Sequence, residues 1–150
     1  MTIAPKRRII IADESAHATE ALAVVLRQSG CEVLQWNCHC GLLTAVRNFR
    51  PDVVFSDLLI EGRAAGIELA QYLRRQRPAA GCVAVALTAC VHAAVRQRAL
   101  AVGFDTVVWK PANPNTLIQL ALKGDRRRRC LEFPAEYDRR DRPRQRGPAA

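Results

Sequence analysis

The sequence predicts an α/β fold in which five short strands alternate with five helices, forming a mostly parallel sheet covered on both faces. Two observations carry this. Short runs of Val, Ile, Leu and Ala, such as RRIIIAD, VVFSD and CVAVALT, have the near-continuous apolar character of strands buried on both sides. Between them, apolar residues recur three and four positions apart, the helical period. Strand–helix alternation calls for crossover connections, and their right-handedness leaves few topologies.

The elements follow in order. RRIIIAD (7–13) is the first strand and ends in acid. SAHATEALAVVLRQSG (15–30) sets Ala18, Ala21, Leu22, Val25 and Leu26 on one helical face, with Ser15 as its cap and Gly30 as its end. CEVLQW (31–36) is the second strand. Leu42, Leu43, Val46 and Phe49 mark a helix that closes before Pro51. DVVFSD (52–57) is the third strand. GIELAQYLRRQR (66–77) carries Ile67, Leu69, Ala70 and Leu73 as a buried stripe; its late arginines suit a helix C-terminus, and Pro78 stops it. CVAVALT (82–88) is the fourth strand, VHAAVRQRALAVG (91–103) a helix stopped by Gly103, and DTVVWK (105–110) the fifth strand. Asn113 caps a last helix with Pro114 at its first position, running through Leu117, Leu120 and Ala121 to about Gly124.

A chain of 150 residues has the size of one domain. Residues 1–124 are expected to fold. Residues 125–150 lack a sustained period and are rich in Arg, Pro and Asp, which reads as a basic, disordered tail. The net charge of +9 is concentrated there: residues 123–150 hold ten Lys/Arg against five Asp/Glu. Such a balance is compatible with nucleic acid or an anionic surface without identifying a partner. The apolar runs fall far short of a membrane span, and the one near the N-terminus is too short for a signal peptide, so a cytoplasmic protein is expected. Six cysteines in that setting are expected as reduced thiols, with Cys31, Cys82 and Cys90 acting as small hydrophobes. Cys38-His39-Cys40 has the composition of a metal site. However, adjacent residues on a helix point apart, and no CxxC or HxxxH partner occurs elsewhere. Structural or incidental thiols are the expectation.

In a parallel sheet all strand C-ends share one edge, where ligands bind. The residues delivered there are Asp13 and Glu14 from strand one, Asp57 from strand three, Thr88 from strand four and Lys110 from strand five. Strand ends are polar simply because they meet water, and that accounts for any one of these residues. The set has a common chemical use. Neighbouring carboxylates repel and need a cation, and oxygen-only donors suit Mg2+. Asp57 is then a candidate carboxylate nucleophile toward phosphorus, with Lys110 and the Thr88 hydroxyl neutralising phosphoryl oxygens.

At these residues the sequence resembles the receiver domains of bacterial two-component response regulators. The matching pieces are IIIADES, VVFSDLL, VALTA and WKPAN, with Gly66 and IELAQYLRR, over roughly residues 7–123. The resemblance implies a flavodoxin-like doubly wound (βα)5 fold with a five-stranded parallel sheet in the order 2-1-3-4-5. It implies that Asp57 is the phosphoacceptor and that Thr88 and Lys110 are its switch hydroxyl and lysine. It also implies Mg2+ (or Mn2+) held by Asp13, Glu14, Asp57 and the backbone carbonyl of Leu59. The implied partners are a sensor histidine kinase or histidine phosphotransfer protein, and a downstream protein on the face of helix four, strand five and helix five. No DNA-binding domain is expected in the 26 residues after Gly124, so the sequence reads as a stand-alone switch and not an enzyme.

Three features depart from the family's pattern. Glu61 stands where a proline is common. The loop LLIEGRAAG is one residue longer before its glycine. Val107 replaces the Tyr or Phe that moves inward on activation, and stiff, β-branched valine has no comparable pair of states. Trp109, two residues on and on the same side of the strand, is a candidate to serve in its place, with a packed core residue as the favoured reading. These departures motivate an alternative: a receiver-like adaptor that works without phosphorylation, with the Arg-rich tail contacting nucleic acid or an anionic partner. A flavodoxin-like cofactor enzyme is disfavoured, because ADESAHAT puts two acids where a phosphate would be cradled.

Overall fold

The computed structural model of the protein describes residues 3–76 and 81–124. Five strands, β1 (Arg8–Ala12), β2 (Glu32–Trp36), β3 (Val53–Asp57), β4 (Val83–Thr88) and β5 (Thr106–Trp109), form one sheet in the order β2-β1-β3-β4-β5. Every neighbouring pair is parallel. Helices α1 (Ala16–Gln28), α2 (Leu42–Phe49), α3 (Ala65–Arg75) and α4 (Ala93–Val102) make the crossovers, and α5 (Pro114–Lys123) follows β5. This is the flavodoxin-like (βα)5 arrangement expected from the sequence. The proposed stop at Pro78 and the segment 125–150 lie outside the described residues.

The period of two along each strand divides the core between two faces. Ile10, Ala12, Val54, Ala84, Ala86 and Val107 pack with α2, α3 and α4 residues such as Val46, Leu69 and Ala99. Ile9, Ile11, Val53, Phe55, Val83, Val85, Leu87 and Val108 pack with Ala23 and Leu26 of α1 and Leu117 and Leu120 of α5. Burying each such Ile, Leu, Val or Phe side chain stabilises by about 1.5–3 kcal/mol before chain entropy is counted.

The helix ends follow the local chemistry. Ser15 Oγ accepts from the Ala18 N–H at 3.2 Å, and Asn113 Oδ1 accepts from the Asn115 N–H at 2.9 Å. Two arginines work at helix C-termini that the sequence alone does not single out. Arg7 donates to the carbonyls of Ala121 and Gly124 at the end of α5. Arg8 donates to the Phe49 carbonyl at the end of α2 and stacks 4.2 Å over the Phe49 ring. Both bring a cation to carbonyls that lack intrahelical donors.

Candidate functional site

The C-terminal edge of the sheet gathers the residues singled out by sequence, and one ammonium joins two of the acids. Lys110, just after β5, places Nζ 2.6 Å from Asp13 Oδ2 and 3.0 Å from Asp57 Oδ2. Asp13, just after β1, is only 5% exposed, and its Oδ1 accepts from the Ser15 N–H at 2.9 Å. Asp57, the last residue of β3, accepts from the Leu58 N–H through Oδ1 at 2.8 Å. That bond orients the carboxylate and turns Oδ2 toward Lys110. Burial pulls the Lys110 ammonium down, but the hydrogen bonds it donates to Asp13 and Asp57, with their charges, outweigh it and hold its pKa above the ordinary lysine value.

The remaining candidates stand around this trio. Glu14 is exposed, and its Oε2 accepts from the Glu61 N–H at 3.1 Å. Thr88 ends β4 and is 6% exposed; its Oγ1 accepts from the Cys90 N–H at 3.1 Å, bracing the loop that leads to α4. Leu59 lies in the loop after Asp57 with its side chain half exposed. Among the described residues no group of three or more His, Cys, Asp and Glu side chains is gathered as a metal centre. Lys110 brings one cation to Asp13 and Asp57. The donor chemistry nonetheless fits a hard divalent ion, because two carboxylate oxygens on different strands converge on one cationic atom.

The loop between β3 and α3 explains the extra residue. Ile60 and Arg63 exchange backbone hydrogen bonds at 2.9 and 3.0 Å, and Glu61 (φ 54°) and Gly62 (φ 70°) form the two-residue turn between them. Positive φ at both central positions is the signature of a type I′ turn, and glycine meets it at little cost. The Glu61 side chain is directed to the loop after β2: Oε1 accepts from the His39 N–H at 2.9 Å and lies 3.2 Å from His39 Nδ1. The His39 backbone N–H, followed by its ring, holds the Glu61 carboxyl below its usual pKa. Glu61 thus borders the acidic edge through its backbone. Gly66 is required for a different reason. A Cβ there would be driven into the Asp57 carbonyl oxygen and would lie 2.9 Å from Ser56 Oγ, so only glycine lets α3 start against the end of β3.

Two groups supporting the site escape a reading of strand ends. Asn37 Nδ2 donates to the Asp13 carbonyl at 2.8 Å and to Thr19 Oγ1 at 2.9 Å. Ser56, fully buried, donates to the Asp57 carbonyl at 2.8 Å. An amide following β2 and a hydroxyl inside an apolar strand were the available signals. Val107 and Trp109 are both buried, 6% and 4% exposed. Trp109 Nε1–H donates to the Cys90 carbonyl at 3.0 Å, and the Arg96 guanidinium lies 5.7 Å from its ring centroid. Cys38, His39 and Cys40 lie in the loop between β2 and α2, before the helix that starts at Leu42. The five cysteines among the described residues are free thiols; Cys31 and Cys82 are buried, and burial pushes the Cys31 thiol up.

Comparison with known proteins agrees with this geometry. The family described as "Response regulator receiver domain" matches residues 9–122. The DNA-binding response regulator MtrA of Mycolicibacterium paratuberculosis is 34% identical over 131 residues, covering 87% of this chain and 56% of that protein. The phosphate regulon transcriptional regulatory protein PhoB of Pseudomonas aeruginosa is 30% identical over 112 residues, covering 75% of this chain and 48% of that protein. The chain therefore spans about half the length of the curated relatives it matches. A crystal structure of a putative response regulator from Chloroflexus aurantiacus superposes with a TM-score of 0.67 at 25% identity, covering 76% of this chain and 93% of that one. No helix among the described residues is long and apolar enough to cross a membrane.

Proposed function

This chain belongs to the family of response regulator receiver domains, the switches of two-component signalling, and on that premise we propose that Asp57 accepts a phosphoryl group and passes the signal on through protein contacts. One observation supports the proposal: Lys110 Nζ bridges Asp57 and Asp13 at 3.0 and 2.6 Å, a cation beside the carboxylate that the reading makes the nucleophile.

The chemistry follows from the oxygens available. Asp57 Oδ1 is held by the Leu58 N–H, and Oδ2 attacks the phosphorus of a phosphohistidine or small acyl phosphate. An O–P bond forms, the donor's P–N or P–O bond breaks, and its electron pair leaves with the donor. Lys110, kept protonated by its two carboxylates, follows the charge onto a phosphoryl oxygen. Thr88 accepts from the Cys90 N–H through its oxygen, which leaves the hydroxyl hydrogen to donate to another phosphoryl oxygen. Receiver domains generally bind Mg2+ at this site. Asp13, Glu14, Asp57 and the Leu59 carbonyl are the groups that would hold it here, and its chemistry is to neutralise charge on the phosphoryl oxygens.

Receiver domains interact with histidine kinases. For this chain we propose a histidine kinase or a histidine phosphotransfer protein as donor, with a downstream protein on the α4–β5–α5 face. Residues 1–124 constitute the receiver domain in this reading, and 125–150 a basic segment appended to it. A second reading, an adaptor that works without phosphorylation, is favoured by Val107, a buried valine with a single preferred rotamer.

The deciding experiment is intact mass after incubation with Mg2+ and a small acyl phosphate. One added phosphoryl group, absent without Mg2+ and absent in Asp57→Ala, is the expected result. No addition from the small donor or from a purified kinase would leave the adaptor as the reading.

A further inference from the structure

Outside the acidic edge, the loop after β2 brings a thiol, an imidazole and a carboxylate into line. His39 Nε2 lies 3.2 Å from Cys40 Sγ, and His39 Nδ1 lies 3.2 Å from Glu61 Oε1. The order thiol, imidazole, carboxylate is that of an activated nucleophile with its base and the group that orients the base. Glu61 Oε1 also accepts from the His39 backbone N–H at 2.9 Å, which fixes the carboxylate beside the ring. With Nδ1–H donating to Glu61 Oε1, the lone pair of Nε2 would face the Cys40 thiol 3.2 Å away.

The loop holds this arrangement from both sides. Trp36 Nε1–H donates to the Cys40 carbonyl at 2.9 Å, and Cys38 Sγ donates to the same carbonyl at 3.4 Å. Cys40 is exposed and Cys38 half-buried, in contrast to the buried Cys31 and Cys82. A reagent in solution therefore reaches a thiol that has an imidazole in contact with it. The backbone N–H of Glu61 donates to Glu14, so a single hydrogen bond joins this array to the acidic edge.

We propose that Cys40 is a reactive thiol, deprotonated by His39 and held in register by Glu61, whose reaction partner is a hydroperoxide. His39 Nε2 takes the thiol proton. The thiolate sulfur attacks one peroxide oxygen and the O–O bond breaks. Sulfur is oxidised to a sulfenic acid, and the peroxide is reduced to an alcohol or water, with the leaving oxygen taking the proton back from the imidazolium. The assignment stands independently of phosphoryl transfer to Asp57.

The test uses the full chain. Alkylation by iodoacetamide is followed site by site by mass spectrometry, with Cys38 in the same loop as the internal reference. Cys40 is expected to react at least about tenfold faster than Cys38, an advantage lost in His39→Gln. Treatment with one equivalent of hydrogen peroxide and dimedone is expected to label Cys40 in wild type, and in His39→Gln far more slowly. Glu61→Ala keeps the base and removes only the group that orients it. It is expected to slow Cys40 by a smaller factor, with the rate restored in part by Glu61→Gln. Thermal unfolding confirms that each variant is folded. Equal rates at Cys40 and Cys38, or a Cys40 rate unchanged in His39→Gln, would overturn the proposal; an unchanged rate in Glu61→Ala would remove Glu61 from it.

Discussion

Lys110 Nζ lies 2.6 Å from Asp13 Oδ2, tying the residue after β5 to the residue after β1 across the two strands between them. The Asp13 side chain is only 7% exposed, so water cannot replace the ammonium. Lys110→Met should leave a largely buried carboxylate without its counter-charge, and the sheet edge should lose about 1–3 kcal/mol at neutral pH. Urea unfolding measures this. A loss below about 0.5 kcal/mol would mean that the pair is no stronger than an ordinary surface contact.

The same pair sets an alkaline limit. Lys110 has a folded-state pKa above its unfolded value of 10.5. A raised lysine contributes stability in full below the unfolded value and loses it as pH climbs through the folded one. Wild type should therefore become less stable above about pH 10.5, and Lys110→Met should show a shallower decline over that window. Paired urea titrations at pH 8 and 11 make the comparison; parallel declines would show that other groups dominate.

The two aspartates should differ when removed. Asp13 is buried, and its oxygens hold both Lys110 and the Ser15 N–H at the start of α1. Asp57 has a side chain 25% exposed and bonds Lys110 and its neighbour's N–H. Asp13→Ala should cost about 1–3 kcal/mol, and Asp57→Ala under about 1 kcal/mol, because Lys110 keeps its shorter contact with Asp13. Denaturant midpoints test the order. A reversed order would place the structural role on Asp57 and weaken its assignment as a nucleophile free to react.

Gly66 and Gly62 should fail for different reasons. A methyl at Gly66 meets the Asp57 carbonyl, backbone that cannot move without shifting the proposed nucleophile. Gly66→Ala should cost more than about 2 kcal/mol and suppress phosphoryl transfer. Gly62 has open space around it and a φ of 70°, so Gly62→Ala should cost only about 1 kcal/mol of backbone strain and leave Asp57 in place. Unfolding and phosphorylation assays on both variants separate the cases; equal phosphorylation in the two would remove Gly66 from the positioning of Asp57.

Local chemistry decides how much of this was legible in the sequence. Buried parallel strands read as apolar runs, and Ser15 and Asn113 announce helix starts, so the alternating α/β class follows from pattern, while the strand order follows from the family resemblance. The acids, Thr88 and Lys110 close their strands, so parallelism brings them to one edge. Long-range side-chain partners carry no such local signal. Nothing in sequence spacing shows that Arg7 caps a helix more than a hundred positions away, or that Asn37 supports the Asp13 backbone. Glu61 borders the acidic edge through its backbone N–H, while its carboxylate bonds His39 of the β2–α2 loop, a pairing that no local pattern in the sequence signals. The contact between His39 and Cys40 depends on a loop conformation, for which adjacent positions in the sequence give no signal.

Trp109 supplies the test of switching in a chain with valine at position 107. Its indole N–H donates to the Cys90 carbonyl, and the Cys90 N–H donates to Thr88 Oγ1. Thr88 and Trp109 are thus joined through one residue of the β4–α4 loop. If Thr88 turns to donate to a phosphoryl group on Asp57, its hold on the Cys90 N–H weakens, and the Cys90 carbonyl shifts against the indole. Trp109 emission should then change on phosphorylation in a Trp36→Phe background, where Trp109 is the sole tryptophan of the chain. Trp109→Phe should cost about 1–2 kcal/mol, because it leaves the Cys90 carbonyl without this donor. Fluorescence with and without Mg2+ and acyl phosphate, referenced to the mass shift, is the measurement. A phosphorylated chain with unchanged emission would show that the loop does not respond, and would place the output of this domain away from the α4–β5 face.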